Sequence, residues 1–190
     1  ALKKVFTAGL AVTGFAGSAA ASITPGTASS HRNHNSAIRH AACRWCYQDI
    51  PLEVLCREGK KIGLQAVDLV GAKEWHVLKE NGLTCSMGNG AELGIAQGWI
   101  DPQYHDTLVK NYSELIPLAA KSNIRNIICL SGNRNGMDEE TGLRNAEKGL
   151  KKILGLAEQH GVNLVMELLN SKVDHKDYMC DRTAWGVALC

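Results

Sequence analysis

The chain has 190 residues, of which 45% are hydrophobic and 21% charged, and its formal net charge is +2. This length is sufficient for one domain with a sizeable core, and the composition excludes disordered and collagen-like proteins. Because the net charge is small and the basic residues are scattered, the sequence does not favour a nucleic-acid partner.

The N-terminal part differs in character from the rest of the chain. Lys3 and Lys4 precede an apolar stretch over residues 5–15, and small residues follow at 19–21. This order is typical of a secretory signal peptide and is too short for a stable membrane span, although a buried or interfacial helix is an alternative. We therefore predict a signal peptide over 1–21, a flexible linker over 22–36, and export to the periplasm or the cell exterior.

From residue 37 onwards, strand-like and helix-like patterns alternate. Short apolar runs predict strands over 38–42, 64–69, 83–87, 124–130 and 162–169. Helical spacing predicts helices from the N-cap Asp49 to Ile62, from Gly71 to Gly82, over about 104–120, over 143–157 with Gly161 as the end, and over 182–190. Strand followed by helix implies parallel strands with right-handed crossovers, in a doubly wound sheet or part of an eight-fold barrel.

The last predicted strand contains a carboxylate, Glu167, in an otherwise apolar run. An ionised carboxylate is rarely buried without a partner, because its desolvation is costly. We therefore expect Glu167 to be paired, bound to a metal, or placed at a strand end that faces a cavity. In both candidate architectures, the C-terminal strand ends carry the chemistry.

The loop after the fourth predicted strand, Ser-Gly-Asn-Arg-Asn-Gly over 131–136, is a second candidate site. Asn133 and Arg134 are well placed there to bind an anionic or hydroxylated ligand, and a turn without a ligand is the alternative. Neither a dinucleotide-binding fingerprint nor a phosphate-binding P-loop is found in the sequence.

Two of the seven cysteines, Cys43 and Cys46, form a single C-x-x-C motif. A structural zinc site needs four ligands, and no second closely spaced Cys or His pair completes one. A thioredoxin-like redox site would place the motif at a helix start after a strand. Free thiols, a disulfide and a redox site therefore remain open alternatives for this pair.

Four stretches of the sequence resemble one family. They are CRWCYQDIPLEVLC, GLQAVDLV, NIICLSGNRNG and VMELLNSKVDHKDYMCD, and together they span most of residues 38–190. On these stretches the chain resembles the sugar phosphate isomerases and epimerases with a xylose-isomerase-like barrel, in particular the hydroxypyruvate-isomerase-like branch. The resemblance implies an α/β fold, a (β/α)₈ TIM barrel, of which about the first five βα units lie in 37–190.

The resemblance also implies a reaction and a cofactor. Such enzymes isomerise or epimerise a small hydroxy-carbonyl compound, here hydroxypyruvate or a ketose, through an enediolate with the help of one divalent cation, Mg²⁺ or Mn²⁺. The carboxylate that ends the fifth strand binds the metal and exchanges a substrate proton, and Glu167 matches that position. A hard cation favours oxygen ligands and polarises a carbonyl and its neighbouring hydroxyl together.

Further residues are candidates for binding the substrate. Trp45 lies in the first strand-to-helix loop, where an aromatic ring could cover a small ligand, and Asn170 and His175 follow Glu167 in its loop. The same residues would look identical in sequence if they only packed or lay on the surface. The expected partner is a small sugar or hydroxy-keto acid, with neither nucleic acid nor a stable membrane span expected, and the sequence does not determine the oligomeric state.

The family pattern continues with an Asp, a His or Gln, and a Glu on three later strands. Those strands would need roughly 90 to 100 more residues, so we expect this sequence to be the N-terminal part of a longer product, with the remaining metal ligands and the second acid/base group after Cys190. The alternatives are an exported, non-catalytic sugar-binding barrel or, with less support, an endonuclease IV-like phosphodiesterase. The histidines that the endonuclease reading requires are absent from the ends of the second and third predicted strands.

Overall fold

A computed structural model describes residues 38–190 of the chain. The predicted signal peptide (1–21) and linker (22–36) lie outside the described residues and stay predictions. The strands are β1 (Ala41–Cys43), β2 (Ala66–Asp68), β3 (Asn126–Cys129) and β4 (Asn163–Met166). The α-helices are α1 (Leu52–Lys61), α2 (Trp75–Glu80), α3 (His105–Lys121), α4 (Glu139–His160) and α5 (Thr183–Leu189). None of the helices in this part of the chain is long and apolar enough to cross a membrane.

The strands pair in parallel, as the alternation of strands and helices predicts. β1 pairs with β2, and β3 pairs with β4 so that Ile128 lies opposite Val165. Residues 83–88, which we call the bridging segment, make single parallel bridges to both pairs, at Thr84 to β2 and at Gly88 to β3. The spatial order therefore follows the chain: β1, β2, the bridging segment, β3 and β4.

The prediction of a regular strand over 83–87 is wrong, and the side chain of Asp68 explains why. Its carboxylate accepts hydrogen bonds from the backbone N–H of Ser86 at 2.6 Å and of Met87 at 3.0 Å, and from the Ser86 hydroxyl at 2.7 Å. These backbone donors are therefore not available to a strand ladder. The segment stays next to β2 but does not form a continuous strand.

Both ends of α4 follow local sequence chemistry. Asp138 caps α4 by accepting a hydrogen bond from the Thr141 N–H at 2.9 Å. Gly161 ends the same helix with φ of 62°, a left-handed conformation that glycine adopts without strain. The predicted cap Asp49 is wrong, because α1 begins at Leu52 and no side chain in the described chain caps it.

The hydrophobic core lies between the sheet and the helices. Its fully buried side chains include Trp99, Leu108, Tyr112, Ile116, Ile127 and Ile153. Leu164 and Met166 of β4 pack against this core. Because side chains alternate between the two faces of a strand, Val165 and the following Glu167 project from the opposite face.

A long loop, residues 89–101, folds back along the end of β3. The N–H groups of Trp99 and Ile100 donate to the carbonyls of Leu130 at 3.2 Å and Ser131 at 2.9 Å. A Cβ atom at Gly98 would lie 2.4 Å from the nitrogen of Gly132, which is too close for any side chain. Glycine at position 98 therefore allows this loop to approach the strand end.

Two glycines of α4 provide a matched test of how closely this helix packs against His105. A Cβ at Gly149 would lie 2.7 Å from His105 Nε2, whereas a Cβ at Gly155 would meet nothing within 4 Å. We expect Gly149→Ala to lower the free energy of unfolding by about 1–3 kcal/mol through overpacking. Gly155→Ala should raise it by about 0.5–1 kcal/mol, because alanine favours the helix. Urea unfolding measures both changes, and shifts of the same sign would contradict the packing described here.

Candidate functional site

Glu167 lies directly after β4, at the C-terminal edge of the sheet. Its backbone N–H donates to the Cys129 carbonyl at 3.0 Å, so that it continues the pairing of β4 with β3. The side chain is half-buried, and none of the described residues hydrogen-bonds to its carboxylate. Burial raises the pKa of Glu167, and the nearby His175 partly opposes that rise. The expectation of a carboxylate at a strand end therefore agrees with the geometry.

Asn170 and His175 belong to the loop that follows Glu167. The His175 N–H donates to the Asn170 carbonyl at 2.9 Å, and the Asn170 side chain accepts from the Lys172 N–H at 3.0 Å. Asn170 is exposed and shapes this loop. The turn that results places His175 close enough to Glu167 to affect its pKa.

A cavity of about 500 Å³ is lined by two of the predicted substrate-binding residues, Asn133 and His175. Ile95 and Ala96 of the 89–101 loop and residues 173–177 complete its lining. The Asn133 N–H donates to the Ala96 carbonyl at 3.0 Å, which joins the two sides. Loops that lie far apart in the sequence therefore meet at this cavity. Glu167 is not among its lining residues, although the charge of His175 acts on the Glu167 carboxylate.

A larger cavity, of about 620 Å³, lies between α2 and α3. Leu83 and Ile124 line it, and they lie at the N-terminal ends of the bridging segment and of β3. None of the candidate residues lines it. Of these two cavities, only the smaller one is lined by candidate residues.

Arg134 makes three hydrogen bonds inside the chain, and its role as a ligand contact stays a prediction. Its guanidinium donates to Glu139 at 3.1 Å, to Asp181 at 3.0 Å and to the Met179 carbonyl at 3.2 Å. These bonds join the loop after β3 to the start of α4 and to the segment before α5. The geometry therefore favours a structural role for Arg134.

Trp45 lies on a 3₁₀ helix, Arg44–Tyr47, directly after β1. Its side chain is 64% exposed and is not among the residues that line the cavity of Asn133 and His175. The structure therefore places Trp45 at the same sheet edge as Glu167 but does not bring it into that cavity.

A further carboxyl group, Glu92, belongs to this region and was not predicted. Its Oε1 accepts the Leu130 N–H at 3.1 Å and contacts the Tyr112 hydroxyl, while its Oε2 is buried without a hydrogen-bond partner among the described residues. Burial raises the pKa of Glu92 to about 7, and the charge of Glu167 adds to that rise. Glu92 lies in a loop rich in glycine, so that no strand or helix pattern marked it.

Hydrogen bonds oppose the effect of burial on Glu92. The Tyr112 hydroxyl, which also lies 2.7 Å from the Ile128 carbonyl, donates to Glu92 Oε1, and this bond and the one from the Leu130 N–H lower the pKa of Glu92. Burial has the larger effect, so that the pKa stays raised. Two carboxyl groups in unlike environments, Glu92 and Glu167, are a common arrangement for separate acid and base roles.

The described residues provide only part of a metal site. No group of three or more His, Cys, Asp or Glu side chains within residues 38–190 is arranged to hold an ion. Glu167 fits one oxygen ligand of a hard cation, since its carboxylate is half-buried and makes no hydrogen bond with the described residues. A complete set of ligands would need donors from outside these residues.

Comparison with known proteins identifies the fold. No family model matches the sequence, and no curated protein matches it. The D-psicose 3-epimerase of Clostridium cellulolyticum H10, solved with D-tagatose, matches with a TM-score of 0.62 at 14% identity, over 80% of this chain and 58% of its own. An AP endonuclease, family 2, from Brucella melitensis matches with a TM-score of 0.64 at 17% identity, over 80% of this chain and 63% of its own. This chain has the fold of a partial TIM barrel.

The predicted fold class is thereby confirmed, with β1, β2, the bridging segment, β3 and β4 as the five successive strand positions. The 3-keto-D-glucoside 4-epimerase YcjR from E. coli also matches, with a TM-score of 0.54 at 14% identity, over 74% of this chain and 58% of its own. The chain thus spans 58% to 63% of the length of these three structures. The fold is shared both by sugar epimerases and by an endonuclease, and identities this low establish the fold alone.

Glu92 should make the stability of the protein depend on pH. Its pKa is about 7 in the folded chain against a usual 4.5, so the folded state binds this proton more tightly than the unfolded state. The contribution of Glu92 to the free energy of unfolding is therefore complete below about pH 4.5 and is lost as the pH rises through about 7. Each pKa unit corresponds to about 1.4 kcal/mol, which gives an upper limit of about 3 kcal/mol. In Glu92→Gln this decline should disappear, because the amide keeps the size of the side chain but does not titrate.

Urea unfolding at pH 5 and pH 8, with a chelator present, measures this effect. Glu80→Gln is the matched control, since Glu80 is exposed at the end of α2. The same pH dependence in the wild type and in Glu92→Gln would show that Glu92 is not protonated by its burial.

Proposed function

We propose that this protein is a divalent-metal-dependent isomerase or epimerase of a small hydroxy-carbonyl compound. The observation that carries the proposal is the half-buried carboxylate of Glu167 at the C-terminal edge of a TIM-barrel sheet, within electrostatic reach of His175, which lines the cavity with Asn133. The fold shared with sugar epimerases supports it. Within this class we favour hydroxypyruvate or a ketose as the substrate, on the resemblance of the strand-end motifs.

In this proposal Glu167 moves the proton. Its carboxylate removes the hydrogen from a carbon beside the substrate carbonyl, and the electron pair left behind forms an enediolate. Return of the proton to the neighbouring carbon isomerises the compound. Return to the opposite face of the same carbon epimerises it and requires a second acid or base across the substrate. The raised pKa of Glu167 brings this base closer to neutral pH, where proton transfer is efficient.

The proposed cofactor is Mg²⁺ or Mn²⁺, with Glu167 as one of its oxygen ligands. When bound, such an ion polarises the carbonyl and hydroxyl oxygens of a substrate. We propose that the remaining ligands and the second acid/base group come from parts of the barrel outside the described residues. On the pattern of residues 1–21, we also propose that the protein is exported.

Asn133 and His175 would orient the substrate. Both line the cavity, and both carry side-chain groups that hydrogen-bond to hydroxyl and carbonyl oxygens. Asn170 supports this role by holding the backbone of His175. Trp45, which is exposed after β1, would contact the substrate only if the substrate extends across the sheet edge.

Two other functions are alternatives. The first is a barrel that binds sugars without chemistry. The similarity to an AP endonuclease of family 2 supports a metal-dependent phosphodiesterase. The net charge of +2 argues against the latter, because affinity for DNA depends strongly on basic groups that contact phosphates.

The proposal is tested with the full-length protein supplied with Mg²⁺ or Mn²⁺. We expect it to isomerise hydroxypyruvate or one of a panel of ketoses, and a chelator should abolish turnover. Loss of an acid/base group typically costs about 10²–10⁴-fold in rate, and we expect a loss in this range for Glu167→Gln.

Glu80→Gln is again the matched control and should leave the rate unchanged. Unchanged turnover in Glu167→Gln would disprove its role. Sugar binding without turnover in the wild type would favour the binding module, and cleavage of DNA at abasic sites would favour the phosphodiesterase.

A further inference from the structure

The C-x-x-C motif lies at a strand-to-helix junction. Cys43 is the last residue of β1, and Cys46 lies three positions later in the 3₁₀ helix Arg44–Tyr47. Cys43 is the N-cap of this helix and has an extended backbone, with φ of −82° and ψ of 125°. Burial raises the pKa of Cys43, and the neighbouring thiol of Cys46 adds to that rise.

These two thiols differ from the other cysteines in their access to solvent. Cys46 is exposed and Cys43 is half-buried, and both are free thiols. Four further cysteines are fully buried: Cys56, Cys85, Cys129 and Cys180. Cys190 is exposed but lies after α5, far along the chain. Among the described residues, Cys43 and Cys46 therefore form the accessible pair.

We propose that Cys43 and Cys46 form a thiol–disulfide exchange site that takes small organic disulfides of the glutathione class. The spacing and the access of the two thiols support this inference, since Cys43 and Cys46 are separated by two residues in the turn that follows β1 and both are reached by solvent. The inference does not depend on the proposed isomerase activity.

The reaction has two steps. The Cys46 thiolate attacks one sulfur of the small disulfide, and the disulfide breaks to release one thiolate with its electron pair. The Cys43 thiolate then attacks the Cys46 sulfur, forms the internal disulfide and releases the second thiolate. The two protons from the cysteines pass to the two released thiolates. The protein pair is thus oxidised by two electrons, and the small disulfide is reduced by two.

The exposures support this order of attack. A small disulfide in solution reaches the exposed Cys46 first. Because burial raises the pKa of Cys43, that thiol forms its thiolate less readily, which suits the resolving role rather than the attacking one.

Trp45 lies between the two cysteines and reports on their state. Its side chain is 64% exposed, whereas those of Trp75, Trp99 and Trp185 are 6%, 0% and 5% exposed. Disulfides quench the fluorescence of adjacent indole rings. We therefore expect oxidation to lower the solvent-exposed part of the tryptophan emission.

The test incubates the full chain with an excess of oxidised glutathione, then alkylates the free thiols and digests the protein with trypsin. Trypsin cleaves after Arg44, so the expected disulfide joins the separate peptides 40–44 and 45–57, with two hydrogen atoms fewer than their sum. A glutamate-specific protease then cleaves after Glu53 and separates Cys46 from Cys56. The link should remain on peptide 45–53 and disappear on reduction.

Variants keep the inference falsifiable. Cys43→Ser and Cys46→Ser should each lose the linked peptides and the change in emission, while Cys190→Ser keeps both. Circular dichroism checks that each variant is folded. Free thiols at positions 43 and 46 after oxidation, or separate glutathione adducts on each of them, would overturn the proposal, as would a link from Cys43 to Cys56.

Discussion

The parallel pairing of β3 with β4 determines where the candidate residues lie. The register places Ile128 opposite Val165 and extends to the bond from the Glu167 N–H to the Cys129 carbonyl. A shift of one residue would turn every side chain of β4 to the other face and bury Glu167 against the helices. The apolar side chains of Leu164 and Met166 oppose that shift, because they would then leave the core. The position of the carboxylate is thus a consequence of core packing.

The polar site is supported by an apolar layer beneath it. Trp99 packs against Tyr112 with ring centroids 5.4 Å apart, and Tyr112 in turn contacts Glu92 through its hydroxyl. Both rings are fully buried. Rotation of the Tyr112 ring would disturb the core, so the position of Glu92 is coupled to the packing of α3. Glu92 is thus held in its buried position by packing and hydrogen bonds, without a salt bridge.

The sequence predicted those features that depend on local pattern. Spacing within a few residues predicts the alternation of strands and helices and the end of α4 at Gly161. It also marks Glu167 as a carboxylate in an apolar run. Glu92 could not be predicted, because its partners Tyr112 and Leu130 are brought to it only by the fold. The hydrogen bonds of Arg134 could not be predicted for the same reason, since its partner Asp181 lies 47 residues away. The apolar residues of the bridging segment predict a strand, whereas the Asp68 carboxylate on β2 accepts hydrogen bonds from its backbone N–H groups.

The contact between the 89–101 loop and the end of β3 has a consequence for the evolution of this chain. The backbones at Gly98 and Gly132 meet directly, with a Cβ at either position within 2.4 Å or 2.7 Å of the other residue. A large side chain in an ordinary core can be compensated by a smaller one opposite, but nothing is smaller than glycine. No second substitution at this contact can therefore rescue the first. The two positions must persist together, or the loop and the cavity that it lines must be rebuilt together.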